Sequence, residues 1–207
     1  MKILGLDEAG RGCVLGPLVV GAFCCTDEDL EEVVRSGATD SKKLSKKKRQ
    51  EILKKLPSLG QTHRLEVSPK QIDDGNLNTL EEGCFINLIL HFKPDIVYID
   101  APTHPRGIPA LQQRLEMAIR KQGMNLPKWI IEPKADLNYP VVGAASIVAK
   151  VHRDSIIAAL GDVGSGYPSD PKTRNWLKGF IDRNESFPSC VRTRWGTISD
   201  LRQQRLL

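Results

Sequence analysis

Apolar and polar positions along the chain fall into five short apolar runs set between longer stretches with helical spacing. Ile3-Leu4-Gly5-Leu6 stops abruptly at Asp7-Glu8, and Leu18 to Cys25 is rich in valine and small residues. Both predict strands, the first buried on both faces. Leu65 and Val67 alternate with charged neighbours over Thr62 to Val67, which predicts a third strand. Asp95 to Asp100, closed by Ala101-Pro102, predicts a fourth, and Trp129 to Glu132 a fifth.

Residues 27–57 are charged and helical in character, with Ser45 placed as N-cap of a helix over Lys46 to Leu56. Leu80, Cys84, Asn87, Leu88 and His91 recur at helical intervals within Leu77 to Phe92, and Leu111 to Lys121 predicts another helix. Pro140 suits the first turn of a long helix reaching Leu160, with Val141, Ala145, Val148 and Val151 on one stripe. Its small residues Gly143-Ala144-Ala145-Ser146 would let it lie close to a sheet. Gly161 to Pro171 is a connection rich in Gly, Pro, Asp and Ser, and the tail beyond it reads as helical and basic.

Strands alternating with helices from residue 80 onward imply parallel neighbours, whereas the first two strands lie close enough to pair antiparallel. The predicted fold class is therefore α/β, a mixed five-stranded sheet with helices on its faces. At 207 residues the chain has room for one domain and a small appendage.

Composition narrows the class. Hydrophobic residues at 40% and charged residues at 27% describe an ordinary globular protein and exclude long disorder. Thirty Lys and Arg against 25 Asp and Glu leave a net charge of +5, compatible with a polyanionic partner without demanding one. No run approaches the roughly 18 to 20 apolar residues of a membrane span, and a strand pattern begins within three residues of Met1, so neither membrane insertion nor a secretory signal is expected. Cys13, Cys24, Cys25, Cys84 and Cys190 are odd in number and form no C-x-x-C pair. They read as reduced thiols of a cytoplasmic protein. His63, His91, His104 and His152 are scattered without ligand spacing.

Between the first two strands, Ala9 to Pro17 holds Gly10, Gly12 and Gly16, a turn whose backbone is open to close approach. A dinucleotide-binding fingerprint fits poorly, because a strand rather than a helix follows. Asp7 and Glu8 end one apolar strand, Asp100 ends another, and Asp136 falls in the loop from the fifth strand to the long helix. Ligand sites in open α/β sheets gather beyond the carboxyl ends of strands, so the four acids can converge. Crowded carboxylates oppose one another's ionisation unless a cation neutralises them, and an all-oxygen donor set selects hard ions, Mg²⁺ first and Mn²⁺ as a substitute. The alternative is that these acids are turn or capping residues, a role Asp136 suits well.

Basic residues concentrate in Asp40-Ser41-Lys42-Lys43-Leu44-Ser45-Lys46-Lys47-Lys48-Arg49, which reads either as a solvated helix face or as a phosphate-binding segment. Lys172, Arg174, Lys178, Arg183, Arg192 and Arg194 form a second set near Trp176 and Trp195. Aromatic and basic residues together can hold a nucleic-acid strand, although tryptophans at this spacing also suit the core of a small helical unit.

Taken in order, Asp7-Glu8-Ala9-Gly10-Arg11-Gly12, Asp40-Ser41-Lys42-Lys43-Leu44, Val97-Tyr98-Ile99-Asp100, Lys134-Ala135-Asp136 with Ala144 to Asp154, and Gly164 to Pro171 span nearly the whole chain. On these segments the sequence closely resembles type 2 ribonuclease H, ribonuclease HII, of the archaeal and eukaryotic-like branch. The resemblance implies a ribonuclease H-like catalytic domain over residues 1–163 and a helical extension over 164–207 completing the substrate groove. It implies an endonuclease that cuts the RNA strand of RNA/DNA hybrids and nicks duplex DNA 5′ of an embedded ribonucleotide, with two Mg²⁺ or Mn²⁺ ions at the scissile phosphate. It makes Asp7, Glu8, Asp100 and Asp136 the catalytic and metal-binding acids. It assigns Gly10, Arg11 and Gly12 to sensing the 2′-hydroxyl, Tyr167 to stacking on the following sugar, and Ser41, Lys42 and Asn78 to gripping phosphates. Roles in ribonucleotide excision repair and DNA replication, a monomeric state and no membrane partner follow from the same resemblance.

The sequence departs from that pattern at Pro133, where related archaeal sequences usually carry histidine, so the loop bearing Asp136 is expected to be held differently. Residues 201–207 are too polar to identify a partner-docking tail. Two rival readings stay open on the residues alone: another nuclease or strand-transfer enzyme on the same carboxylate-bearing sheet, and a non-catalytic nucleic-acid-binding protein.

Overall fold

Five strands build one sheet in the order β3-β2-β1-β4-β5: β1 Lys2–Ala9, β2 Leu18–Thr26, β3 Gln61–Val67, β4 Ile96–Asp100 and β5 Lys128–Glu132. The computed structural model describes residues 1–38 and 44–205. β1 pairs antiparallel with β2 and parallel with β4, β2 pairs antiparallel with β3, and β4 pairs parallel with β5. The mixed sheet and all five strands agree with the hydrophobic pattern. The segment Asp40-Ser41-Lys42-Lys43 lies outside the described residues, and with it the expectation for Ser41 and Lys42.

The helices are α1 Leu30–Arg35, α2 Lys46–Lys55, α3 Pro69–Asp74, α4 Leu77–Phe92, α5 Ile108–Lys121, α6 Ala135–Asn138, α7 Pro140–Ala159, α8 Pro171–Asp182 and α9 Gly196–Arg205. Ser45 caps α2 by accepting from the Lys48 amide at 3.2 Å. The pattern did not anticipate α3, a short helix opened by a Ser68/Gln71 capping box.

α4 and α5 cover one face of the sheet, where Leu4, Leu6 and Val97 meet Phe85, Leu88, Leu111 and Leu115. The buried stripe of α4 runs through Glu81, Cys84, Phe85, Leu88, Ile89 and Phe92, while Asn87 and His91 are exposed. The face is thus rotated from the expected one, because Phe85, Ile89 and Phe92 bring more apolar surface to the sheet.

α7 covers the other face and is in turn covered by α1 and α2. Its first half, Val141 to Ala149, is buried all round, so the single stripe expected for it understates its burial. Two strand glycines admit its backbone. A Cβ on Gly5 would lie 2.2 Å from the Val141 carbonyl oxygen, and one on Gly21 would lie 2.3 Å from that of Ala145.

A third cluster joins Val14 and Leu15 of the glycine turn to Ile157 and to Leu177, Val191, Ile198 and Leu201 of the C-terminal segment. Trp176 and Trp195 pack against it, the core reading of the two. Several basic residues of the tail are spent internally. Arg192 is fully buried, and Arg194 donates to the Asp73 carbonyl at 2.8 Å.

Candidate active site

Strand alternation sorts the acids at the end of β1. Ile3, Gly5 and Asp7 face α7, whereas Leu4, Leu6 and Glu8 face α4. Asp7 pairs with Gly21 in the β1–β2 register, and Leu6 pairs with Ile99 in the β1–β4 register, so Asp100 follows beside Asp7. Asp136 is carried not by a loop but by the short helix α6, entered through Lys134 in the left-handed conformation at φ 61°. This turn is fastened to the site, since Asp100 Oδ1 accepts from the Lys134 amide at 2.6 Å and the Ala135 amide at 3.3 Å. With Pro133 in place, these two amides supply the latch that holds Asp136.

One oxygen from each of Asp7, Asp100 and Asp136 lies within 4.8 Å of the others. Asp7 and Asp136 are buried. Burial first, then the charges of Glu8 and Asp100, raise the Asp7 carboxyl well above the ordinary range, against hydrogen bonds from the Ser146 hydroxyl and the Glu8 amide. Glu8 is pushed up to about 8 by burial and by Glu81 and Asp100. Such a group is costly without a counter-charge. The oxygen-only donors at this spacing fit a hard divalent cation, Mg²⁺ or Mn²⁺.

Asp7, Glu8, Asp100, Gly10, Arg11 and Gly12 line a single cleft of about 380 Å³, and Ala9, Tyr167, Ser146 and Lys150 complete it. Gly10 needs its φ of +88° and its closeness to Pro17, whose carbonyl oxygen would sit 2.7 Å from a Cβ. A Cβ on Gly12 would meet no protein atom. The turn is held from behind by buried Arg192, whose guanidinium donates to the carbonyls of Gly10 at 2.7 Å, Arg11 at 3.0 Å and Gly16 at 3.0 Å. Buried Arg153 donates to Cys13 Sγ at 2.9 Å and to the Ser165 carbonyl at 2.6 Å. Its guanidinium carbon sits 5.0 Å from the centre of the Tyr167 ring, and the Tyr167 hydroxyl bonds the Cys13 thiol. Lys150 donates to Asp154 at 2.8 Å, which also receives Arg153.

Asn78 stands beside the cleft in an adjoining pocket of about 270 Å³ that shares Arg11 with it. The Arg11 guanidinium donates to both Asn78 and Glu81 of α4. Sequence reasoning placed Asp7, Glu8, Asp100, Asp136, Gly10, Arg11, Gly12, Asn78 and Tyr167 among the site residues, and the fold brings them to one region. It missed Ser146, Glu81, Arg153 and Arg192. Ser146 and Arg153 lay inside a motif that carried the resemblance, but nothing in a linear pattern marks which helical positions turn inward.

An acid cluster at the carboxyl ends of β1 and β4 of this mixed sheet defines the ribonuclease H-like class of enzymes. The chain belongs to the Ribonuclease HII family, whose sequence model matches residues 4–198, and it is an RNase H enzyme. Ribonuclease HII of Archaeoglobus fulgidus is 42% identical over 211 residues, covering 98% of this chain and 97% of that protein. The solved structure of the PCNA:RNase HII complex from the same organism matches with a TM-score of 0.85 and 42% identity, over 97% of each chain. The crystal structure of ribonuclease H2 from Pyrococcus horikoshii matches with a TM-score of 0.85 and 37% identity, over 99% of this chain and 98% of that one.

Proposed function

We propose that this ribonuclease H hydrolyses the RNA strand of RNA/DNA hybrids and also nicks duplex DNA on the 5′ side of an embedded ribonucleotide, leaving a 5′-phosphate. Asp7, Glu8, Asp100 and Asp136 are the catalytic acids of this reading. The observation that carries it is the meeting of the Asp7, Asp100 and Asp136 oxygens within 4.8 Å of one another beside the Gly10-Arg11-Gly12 turn. When bound, two Mg²⁺ or Mn²⁺ ions supply an activated water and stabilise charge on the scissile phosphate and the leaving 3′ oxygen.

The protein's own groups account for the selectivity. Arg192 ties up the carbonyls of Gly10 and Arg11, which leaves the backbone amides of the turn to meet a 2′-hydroxyl. Tyr167, on the cleft wall, packs against the next sugar and tests that it lacks that hydroxyl. The Asn78 carbonyl is engaged by Arg11, so its amide nitrogen is the group offered to a phosphate, alongside Ser41 and Lys42 of the basic segment. In this reading residues 1–163 form the catalytic domain, and 164–207 complete the groove through the core they share with Val14 and Leu15. No described helix is long and apolar enough to cross a membrane. Five free thiols suit a reducing compartment, in keeping with a monomer acting in the cytoplasm during ribonucleotide repair and replication.

The test offers end-labelled duplexes that are all DNA, DNA with one ribonucleotide, or RNA/DNA hybrid, with and without Mg²⁺ or Mn²⁺. Metal-dependent cutting of the last two, with a 5′-phosphate on the product and none of the first, is the expected result. Equal cutting of plain DNA, or cutting of hybrid alone, would overturn the ribonucleotide reading.

A further inference from the structure

We propose that Glu81 is a positioning residue: it draws the Arg11 guanidinium onto α4 and so keeps this internal cation off the carboxylates at the end of β1, leaving them to a divalent ion. The inference rests on the metal-binding reading above. Arg11 lies three residues beyond Glu8, and both line the same cleft. Its side chain is 28% exposed, while that of Glu81 is 1% exposed. A glutamate so deeply buried is stable as a charge only with a partner, and Arg11 is the partner it has.

Asn78, one turn earlier on the same helix, receives the other terminal nitrogen of Arg11. Two acceptors fix both the direction and the plane of the guanidinium fork, which a lysine could not match. The neighbouring acid Glu82, which lines the same adjoining pocket, already has a matching cation. Its two oxygens are taken by Arg114, at 2.7 and 2.9 Å. With the charge of Glu81 removed, the strongest negative field left to Arg11 is that of the cleft it lines, from Glu8 and the aspartates beyond it. A guanidinium settled there would relieve the same repulsion that a bound metal relieves, and would compete with it. Glu8 lies within electrostatic reach of both partners, raised by Glu81 and lowered by Arg11.

The measurement is calorimetric binding of Mn²⁺ to the protein without nucleic acid at pH 8, above the value of about 7 to which burial raises Glu81, so that its charge is present. Glu81→Gln keeps the side chain's size and is expected to weaken binding about fivefold, the size of one partly screened ion pair. Asn78→Ala, at an exposed position, is expected to weaken it by less. In an Arg11→Ala background both effects vanish, because the competing cation is gone. A loss that persists in that background would mean that Glu81 acts only through its own field, and an unchanged affinity in Glu81→Gln would mean that it restrains nothing; either overturns the proposal. Thermal melts report whether each variant folds, and if Glu81→Gln does not, Asn78→Ala decides by the same comparison. Asp7→Asn separates the two levels: if it binds Mn²⁺ as well as the parent, the metal reading itself fails and this inference falls with it.

Discussion

Ser146, in the first half of α7, donates its hydroxyl to the Asp7 carboxylate at the end of β1. The bond exists because α7 comes so close to the sheet: Gly21 lies directly opposite Asp7 in the strand pairing, and the Ala145 carbonyl occupies the space its side chain would need. One helix therefore both fills the core and steadies an acid of the cluster that could hold a metal ion. Ser146→Ala is expected to lower metal affinity or turnover by about 10- to 100-fold, the usual cost of losing a group that orients a ligand. Because the lost bond opposes the rise of the Asp7 carboxyl, the acid limb of the pH–rate profile should also move to higher pH. An unshifted profile with full turnover would show that the hydroxyl does not steady Asp7.

The raised carboxyls make stability depend on pH in a definite sense. Glu8 rises from 4.5 to about 8 and Glu81 from 4.5 to about 7, both chiefly through burial. Between those limits the folded protein holds protons that the unfolded chain has released, so these groups stabilise fully below pH 4.5 and lose that contribution as pH climbs to 8. With chelator present, Tm should fall across this window, and the fall should flatten in Glu8→Gln. Added Mn²⁺ should raise Tm more at pH 8 than at pH 5, since the ion competes with protons for the same oxygens. Melts over a pH series check both statements. A chelated protein whose slope Glu8→Gln leaves unaltered would contradict the first.

Gly21 is the sharper of the two contact glycines, because its substitution strains core and site together. In Gly21→Ala the new carbon would fall 2.3 Å from the Ala145 carbonyl oxygen and 2.7 Å from the Ala149 nitrogen, all backbone that can yield only if α7 moves. Overpacking of this kind costs about 1–3 kcal/mol, which lowers Tm by roughly 2–12 °C in a chain of this size. Activity should drop beyond what lost stability explains, since Ser146 moves with the helix. Calorimetry paired with turnover well below Tm checks this.

The strand ends were the legible part of the site. Asp7 and Asp100 each close an apolar run, and the rule that ligands gather beyond strand ends brings them together before any coordinates are known. Glu81 and Ser146 were not legible, for a common reason. The apparent stripe of α4 through Leu80, Asn87 and His91 leaves Glu81 outside it, and Ser146 sits among residues whose smallness already explained close packing. Arg192 was hidden by its company: in a basic tail it looks like one more solvated charge, and only the folded backbone reveals three carbonyls waiting for it.

Tyr167 offers the cleanest test of substrate selectivity, because its ring and its hydroxyl have separate partners. Arg153 lies over the ring and Cys13 meets the hydroxyl, whose ionisation is pushed up to about 12 by burial and then by Cys13. The side chain is thus neutral at any working pH, and its contribution is contact rather than charge. Tyr167→Phe keeps the ring over the cleft and should retain most nicking at a single ribonucleotide. Tyr167→Ala removes the ring from the cleft wall and, on the proposed role in contacting the following sugar, should lower that nicking by about tenfold, comparable to the loss of one aromatic stacking contact. Cutting within a long hybrid, where the following sugar carries a hydroxyl, should suffer less. The ratio of the two kcat/KM values in each variant is the readout, and equal losses on both substrates would remove Tyr167 from ribonucleotide recognition.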